Sequence, residues 1–336
     1  MGEIFPVQYS TLSSRALGLY VQEAYGLRQV SCRYLLRGVS DTYVVDSLEG
    51  KYILKVYRGA HRSWTEINGE VALLRALYDK GAKVAAVASD REGNAVQAFQ
   101  AAEGVRHGVL FCFAPGKNVY DLSDKQLHTV GSEMAFNHNI TVNLDLPFER
   151  KAYTVDTTLI QPLHSVRPWF ADFPEGYAFL QNKVDEALKT LEHFDTAKFN
   201  YGYCHYDYLP KNFHFDENDG FTLFDFDFAG KGFLVNDLAS FTIHLYFHMF
   251  FKKLSQAEAE QAFRKLVQGY REQRAIADEE LLAIPTLGFM FWLFYLGFQC
   301  ENFDDWSNTF MGPRYLRDRV TAIQDYATRF SGFAFT

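Results

Sequence analysis

An α+β fold in two parts is what the sequence predicts, with an antiparallel sheet over residues 1–113 and a mainly helical part over residues 114–336. Three observations predict it. Short apolar and aromatic runs broken by polar turns crowd the first part, which is the signature of consecutive strands. Apolar residues recur at helical spacing over much of the second. Within that second part, residues 201–228, YGYCHYDYLPKNFHFDENDGFTLFDFDF, set polar and charged side chains at fixed offsets inside an aromatic frame.

At 336 residues and 48% hydrophobic content the chain can bury a large core and has a prior of about two domains. A formal net charge of -8 argues against a nucleic-acid partner, because binding a phosphate backbone needs clustered Lys and Arg. Cys32, Cys112, Cys204 and Cys300 lie far apart without a C-x-x-C pair, so neither a zinc knuckle nor a disulfide framework is signalled and a reduced cytoplasmic setting is expected. The opening MGEIFPVQYS shows no basic region followed by an apolar run, the pattern of a signal peptide. Residues 281–298 are uncharged and close to the shortest membrane spans in length, but acidic flanks and Pro285 argue for a buried helix and no membrane partner.

In chain order, residues 10–27 read as a leading helix with Ala16, Leu19, Tyr20 and Ala24 on one face, and residues 34–36, 42–46 and 52–57 as three strands. A helix follows over residues 63–78, then strands over residues 82–88, 95–101 and 108–113, the last of the first part, which runs into a hinge at Ala114, Pro115 and Gly116. Helices are expected over residues 123–139, with Ser123 as N-cap, and 174–194. Residues 141–173 read as irregular. Beyond the polar stretch, residues 235–250, 255–273, 278–303 and 313–330 read as helices.

The chemistry centres on the polar stretch. A strand ends near Cys204, a loop runs from His205 to Asn212, and strands over residues 213–215 and 221–224 flank the turn at 216–220. A hairpin brings its ends together, so Asn212 and Asp225 are expected close in space, with Asp207 five residues before Asn212. One carboxylate able to take a proton, plus an amide and a carboxylate facing a cation, suits Mg-assisted phosphoryl transfer. The order H-x-D-x-x-x-x-N followed by D-F-D is a variant of the protein-kinase catalytic loop and metal-binding triplet.

At these residues the sequence resembles the aminoglycoside phosphotransferase and choline kinase family, which also takes in a bacterial homoserine kinase type and related small-molecule kinases. Members read H-G-D-x-x-x-x-N, then I-D-F or I-D-W, then D-L-A. The matching residues are His205, Asp207, Asn212, then Phe224, Asp225 and Phe226, then Asp237, Leu238 and Ala239, with Tyr206 standing where the family has Gly. The resemblance extends over most of the chain. It implies a protein-kinase-like two-lobe fold and an ATP- and Mg-dependent kinase acting on the hydroxyl of a small molecule. Asp207 is then the catalytic base or the group that orients the hydroxyl, and Asn212 and Asp225 are the Mg ligands. His205 takes a structural role packing the loop, while Asp227 is a further candidate that touches Mg through water or faces solvent. Asp237 either caps the helix that starts at Leu238 or hydrogen-bonds the catalytic loop.

The same resemblance assigns the nucleotide side. Gly38 and Ser40 sit where a phosphate-covering loop belongs, and small residues there let backbone N–H groups approach phosphate oxygens. Lys55 lies on the third strand, as does the kinase lysine that meets the nucleotide phosphates. Glu66 and Glu70 lie one turn apart on the next helix as its partners, and Glu70 is preferred because it opens an E-x-x-L-L-x-x-L run. Adenine is expected against backbone groups from Phe111 to Phe113.

Two other function classes share some of these residues. A metal-dependent hydrolase built on His205, Asp207, His214, Asp225 and Asp227 explains the carboxylates but neither Lys55 with Glu70 nor the antiparallel first part. An inactive kinase-fold protein is disfavoured because Lys55, Asp207, Asn212 and Asp225 are all present. For the acceptor, residues 292–306 combine Trp292, Tyr295, Phe298 and Trp306 with Glu301, Asp304 and Asp305. Aromatic faces and carboxylates together attract ammonium groups, which favours an amino alcohol, amino acid or aminoglycoside as substrate.

Overall fold

The computed structural model describes residues 5–59, 61–302 and 311–336. It divides into two compact units, the first formed by Met1–Gly116, Asp145–Arg150 and Thr222–Asp227, the second by Lys117–Leu144, Lys151–Phe221 and Phe228–Thr336. Two short later segments therefore return to the first unit, and one of them carries Asp225 and Asp227.

The first unit opens with helix α1 (Ser14–Tyr25), started by the Ser13 hydroxyl, which accepts the Ala16 N–H. Strands β1 (Ser31–Arg37), β2 (Ser40–Asp46) and β3 (Lys51–Tyr57) follow, then helix α2 (Trp64–Asp79) and strands β4 (Val96–Ala101) and β5 (Gly104–Cys112). The sheet order is β1-β2-β3-β5-β4, antiparallel throughout. Its core joins Tyr43, Val45, Leu54, Val56 and Leu110 to Leu17 and Val21 of α1. Burying such side chains contributes roughly 1.5–3 kcal/mol each, and the period-two pattern of β2 and β3 is what aims them at the helix. A buried arginine ties the strands together as well. Arg106 donates to the Val56 and Tyr57 carbonyls and to Asp41 at 3.0–3.1 Å.

Residues 82–88 depart from the expected strand. They make only isolated bridges, Val84 with Leu223 and Val87 with Phe111. An apolar run of small alanines and valines has strand composition whether or not a neighbour runs alongside, so the pattern overstates pairing here.

In the second unit α3 (Asp124–Thr141) begins at a capping box in which Ser123 and Gln126 exchange hydrogen bonds. The segment expected to be irregular contains a π-helical turn (Asp156–Ile160), α4 (Gln161–Val166) and a 3₁₀ turn (Arg167–Phe170). After α5 (Pro174–Leu191) come strands β6 (Tyr201–Cys204), β7 (Phe213–Phe215), β8 (Phe221–Leu223) and β9 (Gly230–Phe233). β6 pairs antiparallel with β9, a strand the sequence reading did not foresee. Helices α6 (Asn236–Phe250), α7 (Gln256–Gln273), α8 (Asp278–Leu282), α9 (Ile284–Asn302) and α10 (Pro313–Ser331) complete the chain. The helix expected over residues 278–303 is thus two, separated at Ala283. α9 is apolar all round because it is buried all round, Ile284, Leu287, Phe291 and Leu293 among its core residues. No helix among the described residues is long and apolar enough to cross a membrane.

Close approach fixes the α3–α7 contact. A Cβ on Gly131 would stand 1.9 Å from the Leu266 carbonyl oxygen, and one on Gly269 2.0 Å from the His128 carbonyl. Helix propensity alone would favour Ala at position 131 by about 1 kcal/mol. A backbone collision reverses that sign, because neither helix can yield without repacking its face. Gly131→Ala is expected to destabilise the protein by about 1–3 kcal/mol, read as a thermal midpoint lowered by several degrees, while Gly332→Ala, with open space around its Cβ, stays within about 0.5 kcal/mol.

Candidate active site

In the first unit the site is built around Lys55. Alternation along β3 turns its side chain off the sheet beside α2, and the ammonium is buried. Nζ donates to Asp225 Oδ1 at 2.8 Å and Asp227 Oδ2 at 2.7 Å, and lies 3.9 Å from Glu70 Oε1. Burial opposes the lysine's charge, but Asp225, then Asp227, then Glu70 hold its pKa well above the ordinary value. Glu70 moves upward too, chiefly through burial, against the pull of Lys55. Its other oxygen accepts the Tyr57 hydroxyl at 3.1 Å. Glu66 is used elsewhere: with Ser63 it forms the capping box of α2.

Asp225 has φ +64, a left-handed conformation that non-glycine residues seldom adopt. After it, residues Phe226–Phe228 form a 3₁₀ turn and not the continued strand whose alternation was expected to set Asp227 beside Asp225. Both carboxylates nevertheless reach Lys55. Two arginines that the sequence reading missed hold this bend. Arg150 donates to the carbonyls of Phe226 and Asp227 at 2.8–2.9 Å, and Arg62 to that of Asp227 at 3.0 Å, with its Nε 3.7 Å from Asp227 Oδ1. Neither lies in a recognisable motif, and each is far from Asp227 in sequence, so no local pattern marks them.

Three carboxylates around one ammonium form a site that gains from added positive charge. The Asp225 side chain keeps 44% of its surface accessible, against 5% for Asp227, so it is the one able to reach a ligand. The oxygen donor set fits a hard divalent cation that keeps much of its water and shares phosphate oxygens. Among the described residues no group of three or more His, Cys, Asp or Glu forms an all-protein metal cage.

The remaining nucleotide-side residues are spread along the same sheet. Gly38 lies in the β1–β2 turn and Ser40 opens β2; the Gly38 N–H donates to Ser40 O at 3.0 Å, and Ser40 is buried. Phe111 is buried on β5. Just beyond it, the N–H groups of Cys112 and Phe113 already donate to Ala86 and Lys51 carbonyls at 2.8 and 3.1 Å. A purine at this segment must therefore use other backbone groups.

The second unit holds the loop from His205 to Asn212. Its anchor is the buried carboxylate of Asp237, which accepts the N–H of His205 at 2.9 Å and of Tyr206 at 2.7 Å and pairs with His138 Nε2 at 2.9 Å. Asp237 is already inside α6, which begins at Asn236 after Val235, so of its two expected roles it performs the loop-holding one. His138, on α3, completes this anchor and was not identified from sequence. Its ring also meets the Tyr270 hydroxyl at 2.8 Å. His205 is buried, its Nδ1 accepting the Asp207 N–H at 3.3 Å and its ring edge-on to Tyr208.

Asp207 and Asn212 are buried together. Asn212 Nδ2 donates to Asp207 Oδ2 and to the Asp207 carbonyl, both at 2.8 Å, and Lys211 Nζ stands 2.9 Å from Oδ2. Asp207 Oδ1 is buried with no hydrogen-bond partner among the described residues. The residue Asp207 belongs to the wall of a cavity of about 150 Å³, shared with Phe291, Trp292 and Tyr295 of α9. Glu301 is occupied by the Ser165 hydroxyl. Asp304, Asp305 and Trp306 lie outside the described residues.

Tyr206 explains how the chain does without the family's glycine. Its φ is +65, a geometry costing a side-chain-bearing residue about 1–2 kcal/mol. Its buried ring stacks on Tyr153 at 3.4 Å and 4°, edge-on to Phe294 and tilted against Phe291.

Architecture and site define a kinase-like phosphotransferase, and comparison with known proteins agrees. Amicoumacin kinase hAmiN in complex with AMP-PNP, Ca2+ and Ami superposes with TM-score 0.75 at 19% identity, over 96% of each chain. A microcompartment-associated aminopropanol kinase does so with TM-score 0.74 at 20% identity, over 96% of this chain and all of that one. These likenesses establish the protein-kinase-like fold. An uncharacterised protein of Deinococcus radiodurans is 28% identical over 97% of this chain and 93% of its own. The model of the phosphotransferase enzyme family matches residues 31–276, and the chain belongs to that family. The expectation of a small-molecule kinase stands, and the hydrolase reading falls away.

The strain at Tyr206 and its packing pull in opposite directions. Truncating a buried aromatic costs about 3–5 kcal/mol, whereas glycine would relieve roughly 1–2 kcal/mol of backbone strain. Tyr206→Gly is therefore expected to destabilise the protein by about 1–4 kcal/mol in denaturant titration, although glycine suits the backbone better.

Proposed function

We propose that the protein transfers the γ-phosphate of ATP to a hydroxyl of a small molecule, with Mg2+ as the divalent cation. One observation carries this reading: Asp207 is buried at a cavity wall with one oxygen fixed by Asn212 and Lys211 and the other without a partner among the described residues. A carboxylate so held can receive a hydroxyl hydrogen without first breaking a hydrogen bond. In the reaction the hydroxyl oxygen forms a bond to the γ-phosphorus while the bond to the β–γ bridging oxygen breaks, ADP leaves, and the hydroxyl proton passes to Asp207 Oδ1. Positioning and charge stabilisation supply most of the acceleration in this chemistry.

Lys55 takes the α- and β-phosphates, and Glu70 keeps it charged and aimed. Asp225 and Asn212 would hold the cation, with Asp227 as its further carboxylate. When bound, the cation neutralises charge on the β- and γ-phosphate oxygens. Gly38 and Ser40 would cover the phosphates, and the backbone from Phe111 to Phe113 would receive adenine. Support for nucleotide and cation comes from the family and from the AMP-PNP and Ca2+ in the amicoumacin kinase complex. An acceptor that also bears an amine is favoured by the aminopropanol kinase likeness.

Asp207→Asn is expected to retain ATP affinity by calorimetry and lose about 100- to 10,000-fold in turnover, measured as ADP formation with a panel of amino alcohols, hydroxy amino acids, aminoglycosides and sugars. Near wild-type turnover would remove Asp207 from the role. Asp225→Ala should instead weaken nucleotide binding in the presence of Mg2+, and unchanged affinity would count against it as a ligand.

A further inference from the structure

The cavity at Asp207 carries a charge that phosphoryl transfer does not require. It lies wholly in the second unit, and its described charged residues are Asp207, Lys211 and Arg319. Lys211 pairs with Asp207. Arg319, on α10, has no carboxylate partner among the described residues. Its Nη2 donates to the Tyr315 hydroxyl at 2.6 Å, and that hydroxyl donates to Gln299 Oε1 at 2.5 Å. The guanidinium stands 5.0 Å from the ring centroid of Trp292 and 5.0 Å from that of Tyr315.

These contacts fix the guanidinium in place with neutral partners only, so its charge remains for something else. Trp292, in the same wall, is buried, and its indole N–H has no hydrogen-bond partner among the described residues. An ammonium approaching the Trp292 face would find it occupied by a cation and be repelled. With one carboxylate against two cations, the lining is net positive, and at partly buried distances a unit charge interacts far more strongly than in water. A volume of about 150 Å³ holds roughly a benzene-sized ligand.

We propose that Arg319 binds a carboxylate on the acceptor, so that the substrate is a small hydroxy acid whose hydroxyl lies at Asp207. A guanidinium is the side chain best matched to a carboxylate, through paired, charge-assisted hydrogen bonds. Resting on the kinase reading, this selects hydroxy amino acids over amino alcohols and aminoglycosides. The amine, where present, lies away from Trp292.

The test uses matched pairs differing by the carboxylate alone: serine with ethanolamine, and homoserine with 3-aminopropan-1-ol. Affinity is measured for the whole protein with AMP-PNP and Mg2+, and turnover with ATP. Wild type should bind each acid at least about 10-fold more tightly than its partner, as expected for a charge-assisted contact. Arg319→Gln should abolish that preference, chiefly through KM with kcat little changed, leave the carboxylate-free compounds unaffected and keep the thermal midpoint. Arg319→Lys, which preserves the charge, should restore part of it and serves as the second variant if the glutamine form does not fold. Equal affinity within pairs, equal loss for both members, or no binding of either acid would overturn the assignment. Turnover of amino alcohols without any carboxylate preference would sink this proposal and leave the kinase reading intact. Arg319-dependent binding of the acids with no phosphate transferred would do the reverse.

Discussion

A lysine ammonium out of contact with water is tolerated only where opposite charge meets it directly, and that requirement organises the first unit. Desolvating an ion costs several kcal/mol, and removing one partner from a buried pair typically costs 3–5 kcal/mol. Lys55 meets Asp225, Asp227 and Glu70. Each is held by something further: Glu70 by the Tyr57 hydroxyl on a helix fixed through its Ser63–Glu66 cap, and the bend carrying the aspartates by Arg62 and Arg150. The outcome is an excess of acid oxygens around one fixed cation, with Asp225 the accessible one. Such an arrangement is poorly suited to stability alone, since apolar replacements would serve a core as well. It is well suited to receiving phosphates and a divalent cation together.

The second unit solves a different problem, holding a polar loop in a buried place without orphaning its backbone. Asp237 takes two successive N–H groups of that loop, His205 and Tyr206, while Ser240 one turn later takes the N–H of Tyr208. A buried carboxylate with this many donors is fully satisfied, and His138 and Tyr270 extend the network toward α3 and α7. The loop is thereby rigid where Asp207 needs orientation. Tyr206 adds apolar weight to the same end, its ring set among Tyr153, Phe291 and Phe294. The left-handed turn is thus supported by packing where glycine would have supplied freedom.

Much of this was legible in the residues. Strands β1 to β3 show as short apolar runs broken by polar turns, α3 announces itself by its Ser123 cap, and the motif from His205 to Asp237 has spacing that few other chemistries need. Glu70 could be preferred to Glu66 because it opens the apolar run that packs inward, and it is Glu70 that the fold brings to Lys55. What stayed hidden has local causes. β9 is the four residues Gly-Lys-Gly-Phe, too short and glycine-rich to show alternation. Residues 156–170 wind through π, α and 3₁₀ turns, whose mixed periods leave no single stripe of apolar residues. Arg62, Arg150, His138 and Arg319 act through contacts made only after folding, and an isolated Arg or His in sequence is indistinguishable from a surface one.

The central claim, that the carboxylate-ringed Lys55 receives a metal-bound nucleotide, is most directly tested by calorimetric titration of AMP-PNP into wild type and Lys55→Met with Mg2+ present and after its removal by chelation. The account predicts binding to wild type that weakens strongly without the cation, and little binding to Lys55→Met in either condition even where its thermal midpoint shows it folded. Binding to the folded variant as tight as to wild type, or wild-type binding indifferent to Mg2+, would contradict it.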